Sequence, residues 1–218
     1  MMPFFSETFG NASSVHWHGQ QAKTALENAR ATLARVIGAE PGELFFTSGG
    51  TESDNLAIKG TAYAAWKKGR NQIVTSKAEH HAVLEPCDHL ASEGFDVTVL
   101  PVDDNGLVVP EQVEKVLASS TCLVTIMHAN NEVGSISPIT EIAAAARAHG
   151  ALVHTDAVQA LGKIPVNVKE LGVDLMTLSA HKTYGPKGIG ALFIKRGAEL
   201  EPLFRGGGQE RGKRPGTE

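Results

Sequence analysis

Short apolar strands alternate with amphipathic helices along most of the chain, and that alternation constrains the fold more than any other feature. Residues 44–47, 72–76, 97–100, 122–127, 151–155, 174–178 and 191–194 read as strands. Residues 19–37, 51–68, 82–93, 110–118 and 138–149 read as helices. In the first helix Ala22, Leu26, Ala29, Leu33 and Ile37 share one face, with Lys23, Glu27 and Arg30 on others. Gly94 and Gly150 close helices, and Pro110 opens one. Strands that are continuous apolar runs belong to a sheet buried on both faces, and alternation with helices makes such a sheet mostly parallel. The expected architecture is therefore α/β, a three-layer sandwich around a mostly parallel central sheet.

In sheets of this kind ligands bind beyond the carboxyl ends of the strands. Those positions carry Ser48-Gly49-Gly50-Thr51, Glu79-His80-His81, His128 to Glu132, Asp156 to Gln159, and Ser179-Ala180-His181-Lys182. Taken singly, each has a plain reading. Ser48 to Thr51 is an anion site made of helix N–H groups and a hydroxyl, or an ordinary helix cap. Asp156 is a carboxylate held in a site, with Gln159 on the same helical face or turn, or an ordinary helix cap. Lys182 is a Schiff-base nucleophile among small residues, or a solvated loop lysine. Together they suit one cofactor. Pyridoxal 5'-phosphate takes a lysine for its Schiff base, an acid for its ring nitrogen, an anion cradle for its phosphate and a ring to stack on its face. Lys182, Asp156, Gly50 with Thr51, and His80 supply these.

Composition removes other classes. The chain has 218 residues, 20 basic and 24 acidic, for a net charge of −4. That balance speaks against a nucleic-acid surface, and the basic residues between 205 and 214 lie in a Gly-rich loop, not on a basic face. Mean hydropathy is −0.10. No apolar run approaches the roughly 18 residues of a membrane-spanning helix. Residues 1–10 do not read as a secretory signal. Two cysteines, Cys87 and Cys122, suit packing in a reducing cytoplasm better than a disulfide framework. Gly207 to Lys213 has the spacing of a phosphate-binding loop, but Arg214 stands where a magnesium-binding hydroxyl belongs. His16-Trp17-His18 and His80-His81 lack the accompanying ligands of a metal site, so none is expected.

The chain resembles the NifS/IscS-type cysteine desulfurases, within the fold-type I, class V aminotransferase group. The resemblance rests on six stretches in order: 46–55 (FTSGGTESDN), 79–86 (EHHAVLEP), 127–134 (MHANNEVG), 154–159 (HTDAVQ), 179–188 (SAHKTYGPKG) and 214–218 (RPGTE). It implies that Lys182 carries the Schiff base and that Asp156 keeps the pyridine nitrogen protonated. Gln159 would bond the phenolic oxygen. His80 would stack on the ring and shuttle protons. Asn131 would lie near the ring oxygen and the substrate carboxylate. Thr51, the Gly50 backbone, Ser179 and His181 would hold the phosphate. Thr217 would reach the phosphate of a partner subunit, which implies a homodimer.

The implied reaction converts L-cysteine to L-alanine and leaves the sulfur as an enzyme persulfide. That sulfur would pass to an iron–sulfur scaffold or a tRNA-thiolation protein. The family's usual opening segment does not precede Phe4-Phe5, and the sequence given stops within the RPGTE motif. Residues 1–218 are therefore expected to be the cofactor-binding large domain, incomplete at both ends. The small C-terminal domain and the loop with the nucleophilic Cys would lie outside it, so this polypeptide should not turn over. The competing readings are another class V enzyme, a selenocysteine lyase or an aminotransferase, and a non-catalytic cofactor-binding or dimerisation remnant.

Overall fold

A computed structural model describes residues 1–217. Seven strands form one sheet in the order β1-β7-β6-β5-β4-β2-β3. They are β1 (Leu44–Thr47), β2 (Gln72–Ser76), β3 (Asp96–Leu100), β4 (Thr121–Thr125), β5 (Leu152–Asp156), β6 (Leu175–Ser179) and β7 (Gly190–Ile194). The pairings are parallel except those of β7, which runs antiparallel to both β6 and β1. The helices are α1 (Pro3–Ser6), α2 (Trp17–Val36), α3 (Gly50–Trp66), α4 (His81–Ser92), α5 (Pro110–Val116), α6 (Ile139–Ala148) and α7 (Val168–Leu171).

Successive side chains on a strand point to opposite faces, and the core divides accordingly. Ile73, Leu123, Leu175 and Leu192 pack with Leu56, Ile58 and Ala62 of α3 and with Val83, Cys87 and Leu90 of α4. Val74, Val124, Val153, Met176 and Phe193 pack on the other side with Val113 of α5 and with Ile139, Ile142 and Ala146 of α6. Helices thus cover both faces of the sheet, and the three-layer expectation holds. The strand cores also hold, with ends displaced by a residue or two. The least buried strand is β3, an edge strand whose Asp96 and Val99 are exposed.

Helix α2 departs from its expected pattern. Ala29 is exposed, whereas Arg30 is only 2% exposed. Burial of a guanidinium is tolerable because Glu210 folds back to meet it, with Nη2–Oε1 at 2.6 Å and Nη1–Oε2 at 2.8 Å. The same carboxylate accepts the Phe46 N–H of β1. The sequence reads as a Gly- and Arg-rich loop over 205–218, of which 218 lies outside the described residues; residues 205–217 cross β1 as a strap that includes a 3-10 turn (Gln209–Gly212).

Candidate active site

On the α3 side of the sheet the lining changes character along the strands. The apolar row of Ile73, Leu123 and Leu175 gives way, two residues on, to Thr75, Thr125 and Thr177. In β5, His154 and Asp156 follow Leu152 on the same face. The fold therefore brings a polar stripe to the carboxyl ends, beneath the first turns of α3. Beyond it opens a cavity of about 410 Å³.

All but one of the residues expected at a site from sequence line this cavity. Gly50 and Thr51 come from the start of α3, and His80 from the turn into α4. Asn131 follows β4; Asp156 ends β5 and Gln159 follows it; Ser179, His181 and Lys182 follow β6. The exception is Thr217, which lies exposed on the strap and off the cavity wall.

Local geometry fixes most of these groups. Gly49 caps α3 without a side-chain bond, and its carbonyl accepts from Ser53 N–H and from Thr47 Oγ1. The N–H groups of the first turn are thereby left to face an anion, as helix geometry requires. The close seating of this turn needs Gly190, because a Cβ there would come within 2.7 Å of the Gly49 backbone. Ser179 Oγ lies 2.9 Å from His181 Nδ1. His80 Nδ1 accepts the Ala82 N–H at 3.0 Å and so caps α4, which fixes its ring. Asp156 is buried, and its Oδ1 accepts the Val158 N–H at 2.9 Å. Gln159 Oε1 accepts from Lys163 Nζ at 2.5 Å, which leaves its amide N–H groups as donors. Residues 157–164 form successive turns, not a helix, so Gln159 and Asp156 meet through a turn.

Three buried groups, Asp54, Glu79 and His154, were given no role from sequence. Asp54 of α3 is 1% exposed, lines the cavity, and has an unpartnered Oδ1 3.6 Å from His154 Nε2. Burial, with the Asp156 charge next, pushes its carboxyl well above the usual range. Asp156 is also raised, again chiefly by burial. Glu79 is buried beside His80 and accepts from Ser76 Oγ at 2.6 Å and Met127 N at 3.0 Å. Burial pushes its carboxyl up to about 8. His154 is fully buried, 2.8 Å from Thr125 Oγ1 and 3.0 Å from Thr177 Oγ1, and burial holds its imidazole down at about 3. A signal existed for Asp54. It recurs with Ala57, Ile58 and Thr61 at helical spacing on the buried face of α3.

A family model for class-V aminotransferases matches residues 1–214. The chain belongs to that family. The cysteine desulfurase IscS of Dictyoglomus turgidum is 56% identical over 218 residues, which are 100% of this chain and 55% of that protein. The IscS of Clostridium botulinum strain Hall is 51% identical with the same coverage. Among solved structures, a NifS-like protein superposes with a TM-score of 0.96 at 44% identity, over 100% of this chain and 60% of its own. The structure titled SspA in complex with cysteine gives 0.95 at 44% identity, over 99% and 62%. This class V chain thus spans about half the length of the curated relatives it matches. Its cavity occupies the carboxyl ends of the parallel strands, where the cofactor-like set was expected.

Proposed function

We propose that this chain is the cofactor-binding large domain of a pyridoxal-phosphate-dependent cysteine desulfurase, converting L-cysteine to L-alanine and passing sulfur on as a protein persulfide. The convergence of Lys182, Asp156, Gln159, His80 and the start of α3 in one cavity carries the reading. The donor set suits the cofactor. The uncapped first turn of α3, the Thr51 and Ser179 hydroxyls and His181 suit a phosphate dianion. Asp156, a buried carboxyl with one oxygen already bonded to Val158 N–H, suits a ring cation. The amide N–H of Gln159 suits a phenolic oxygen. Bound there, pyridoxal phosphate supplies an aldehyde carbon for amine exchange and a ring that takes up an electron pair.

The remaining steps belong to the chain's own groups. Lys182 Nζ would be the amine that holds the cofactor in this cavity. Asp156 keeps a proton on the ring nitrogen by its negative charge. His80, fixed through Nδ1, offers Nε2 to a proton near the substrate. Asn131 orients the substrate carboxylate. The thiol that accepts sulfur is neither Cys87 nor Cys122. Both are buried, and burial pushes their thiols up to about 12 and about 11, the reverse of a reactive thiolate.

The reading includes a homodimer in which Thr217 reaches a partner's phosphate, a cytoplasmic setting, and an iron–sulfur scaffold or a tRNA-thiolation protein as sulfur acceptor. Among the described residues no helix is long and apolar enough to cross a membrane. Titration with pyridoxal phosphate tests the core of the proposal. The expected result is a Schiff-base absorbance band that the protein shows and Lys182→Ala does not, with a change on adding L-cysteine. An identical spectrum in both proteins refutes it.

A further inference from the structure

A chain of charges crosses the edge strand β1 and ends at the cavity's anion cradle. It starts at Glu27 and Arg30 of α2, with Nε–Oε1 at 3.2 Å. It continues through the Arg30–Glu210 pair to the strap. Arg214, four residues further along, feels the Glu210 charge and bonds Glu52 of α3, Nε–Oε1 at 2.8 Å. Glu52 in turn reaches back to accept the Ser48 N–H at 2.8 Å. Ser48 and Glu52 bracket Gly49, Gly50 and Thr51, so one carboxylate braces the turn that offers its N–H groups to the phosphate. Arg214 lies outside the cavity lining.

Two features mark this strap as constrained. Glu210 and Arg211 have φ of 42° and 54°, a left-handed backbone that side chains rarely adopt. Such strain persists where surrounding contacts over-determine it. Here Arg30 and the Phe46 N–H hold Glu210, and Arg211 Nη1 donates to Leu44 O at 3.2 Å. Glu52 is 13% exposed at its side chain and Arg214 26%, so water screens the pair poorly.

We propose that Arg214 and Glu52 are a positioning pair for the phosphate end of the cofactor, an inference that rests on the function proposed above. Glu52 holds the cradle by its bond to Ser48 N–H, but its negative charge lies one turn from a dianion. Arg214 neutralises that charge. The pair separates bracing from repulsion: the carboxylate geometry is kept and its field is cancelled.

The test compares affinities for pyridoxal phosphate and for pyridoxal, which lacks the phosphate, in the protein and its Arg214→Met, Glu52→Gln and double variants. The ratio of the two dissociation constants isolates the phosphate's contribution. Arg214→Met exposes the Glu52 charge and should cut the preference for the phosphorylated form at least about tenfold, with pyridoxal affinity within about twofold. Glu52→Gln keeps an acceptor for Ser48 N–H and removes the charge, so the preference should hold or rise. The double variant should return to within about threefold of the parent. Equal losses for both ligands in Arg214→Met, or a double variant as weak as that single one, overturn the proposal. Should Arg214→Met fail to fold, a tenfold loss of preference in Glu52→Gln overturns it. A parent protein with no Lys182-dependent binding of either ligand instead overturns the function on which the proposal rests.

Discussion

Replacing Glu79 by Gln should change how the protein's stability depends on pH. The carboxyl is fully enclosed, and burial, the largest influence, raises it from 4.5 to about 8. The sign follows from linkage. Between these values the folded state keeps a proton that the unfolded state has released, so stability falls as pH rises through the window. Each pH unit costs a factor of about ten in the folding equilibrium, or about 1.4 kcal/mol. From pH 6 to pH 7.5 this one group should remove roughly 2 kcal/mol. Gln retains the oxygen that accepts from Ser76 Oγ and Met127 N–H, and it does not titrate. Urea unfolding of the cofactor-free protein at several pH values is the assay, with linear extrapolation to water. Glu79→Gln should gain on the parent by about 1.4 kcal/mol per unit across the window, whatever its standing at pH 6. Asp54 and Asp156 titrate in both proteins, so the difference between the curves reports Glu79 together with its electrostatic influence on these two neighbours. Parallel curves would refute the enclosed-acid account.

Other outcomes follow from the same geometry. Asp156→Asn should weaken pyridoxal phosphate binding at least about tenfold while stabilising the cofactor-free protein at pH 8, since the raised carboxyl costs stability as pH rises; paired ligand titrations and melts check both signs. Arg30→Met leaves Glu210 buried without its guanidinium and should cost about 3–5 kcal/mol by denaturant titration. Residues 1–218 alone, given pyridoxal phosphate and L-cysteine, should release no alanine above the free-cofactor rate; chromatographic alanine analysis decides this. Cys87 and Cys122 should resist alkylation by iodoacetamide in the folded protein and react after unfolding, as read by mass spectrometry.

The strand cores and the cavity residues were legible because each follows from a local pattern. Val74 beside Ile73, or Val124 beside Leu123, reads as a doubly buried strand whatever its neighbours. Lys182, Asp156 and His80 stand at strand ends, where chain order alone puts them on one edge. What the pattern hid depends on pairs far apart in sequence. Arg30 looks like a solvated helix charge until Glu210 arrives from the strap. The antiparallel course of β7 depends on how the chain returns after Lys182, which no periodicity encodes. Asp54 broke an apolar stripe, but one polar residue in a stripe does not reveal the carboxyl it will face.

The stripe beneath α3 shows what the site costs the fold. Asp54, Glu79 and Asp156 are buried within mutual electrostatic reach, and each is raised chiefly by its burial. His154 beside them is held neutral, so it offers no compensating charge. A core designed for stability alone would not gather three acids there, because buried ions without partners cost several kcal/mol each. The arrangement makes sense as a place for a cation that the chain does not itself supply. Binding one at Asp156 would favour ionisation of that carboxyl and discourage it at Asp54 and Glu79, which then remain neutral acids. The cofactor's ring nitrogen has the required charge. On this view the pocket stores, as lost stability, part of the free energy that binding returns.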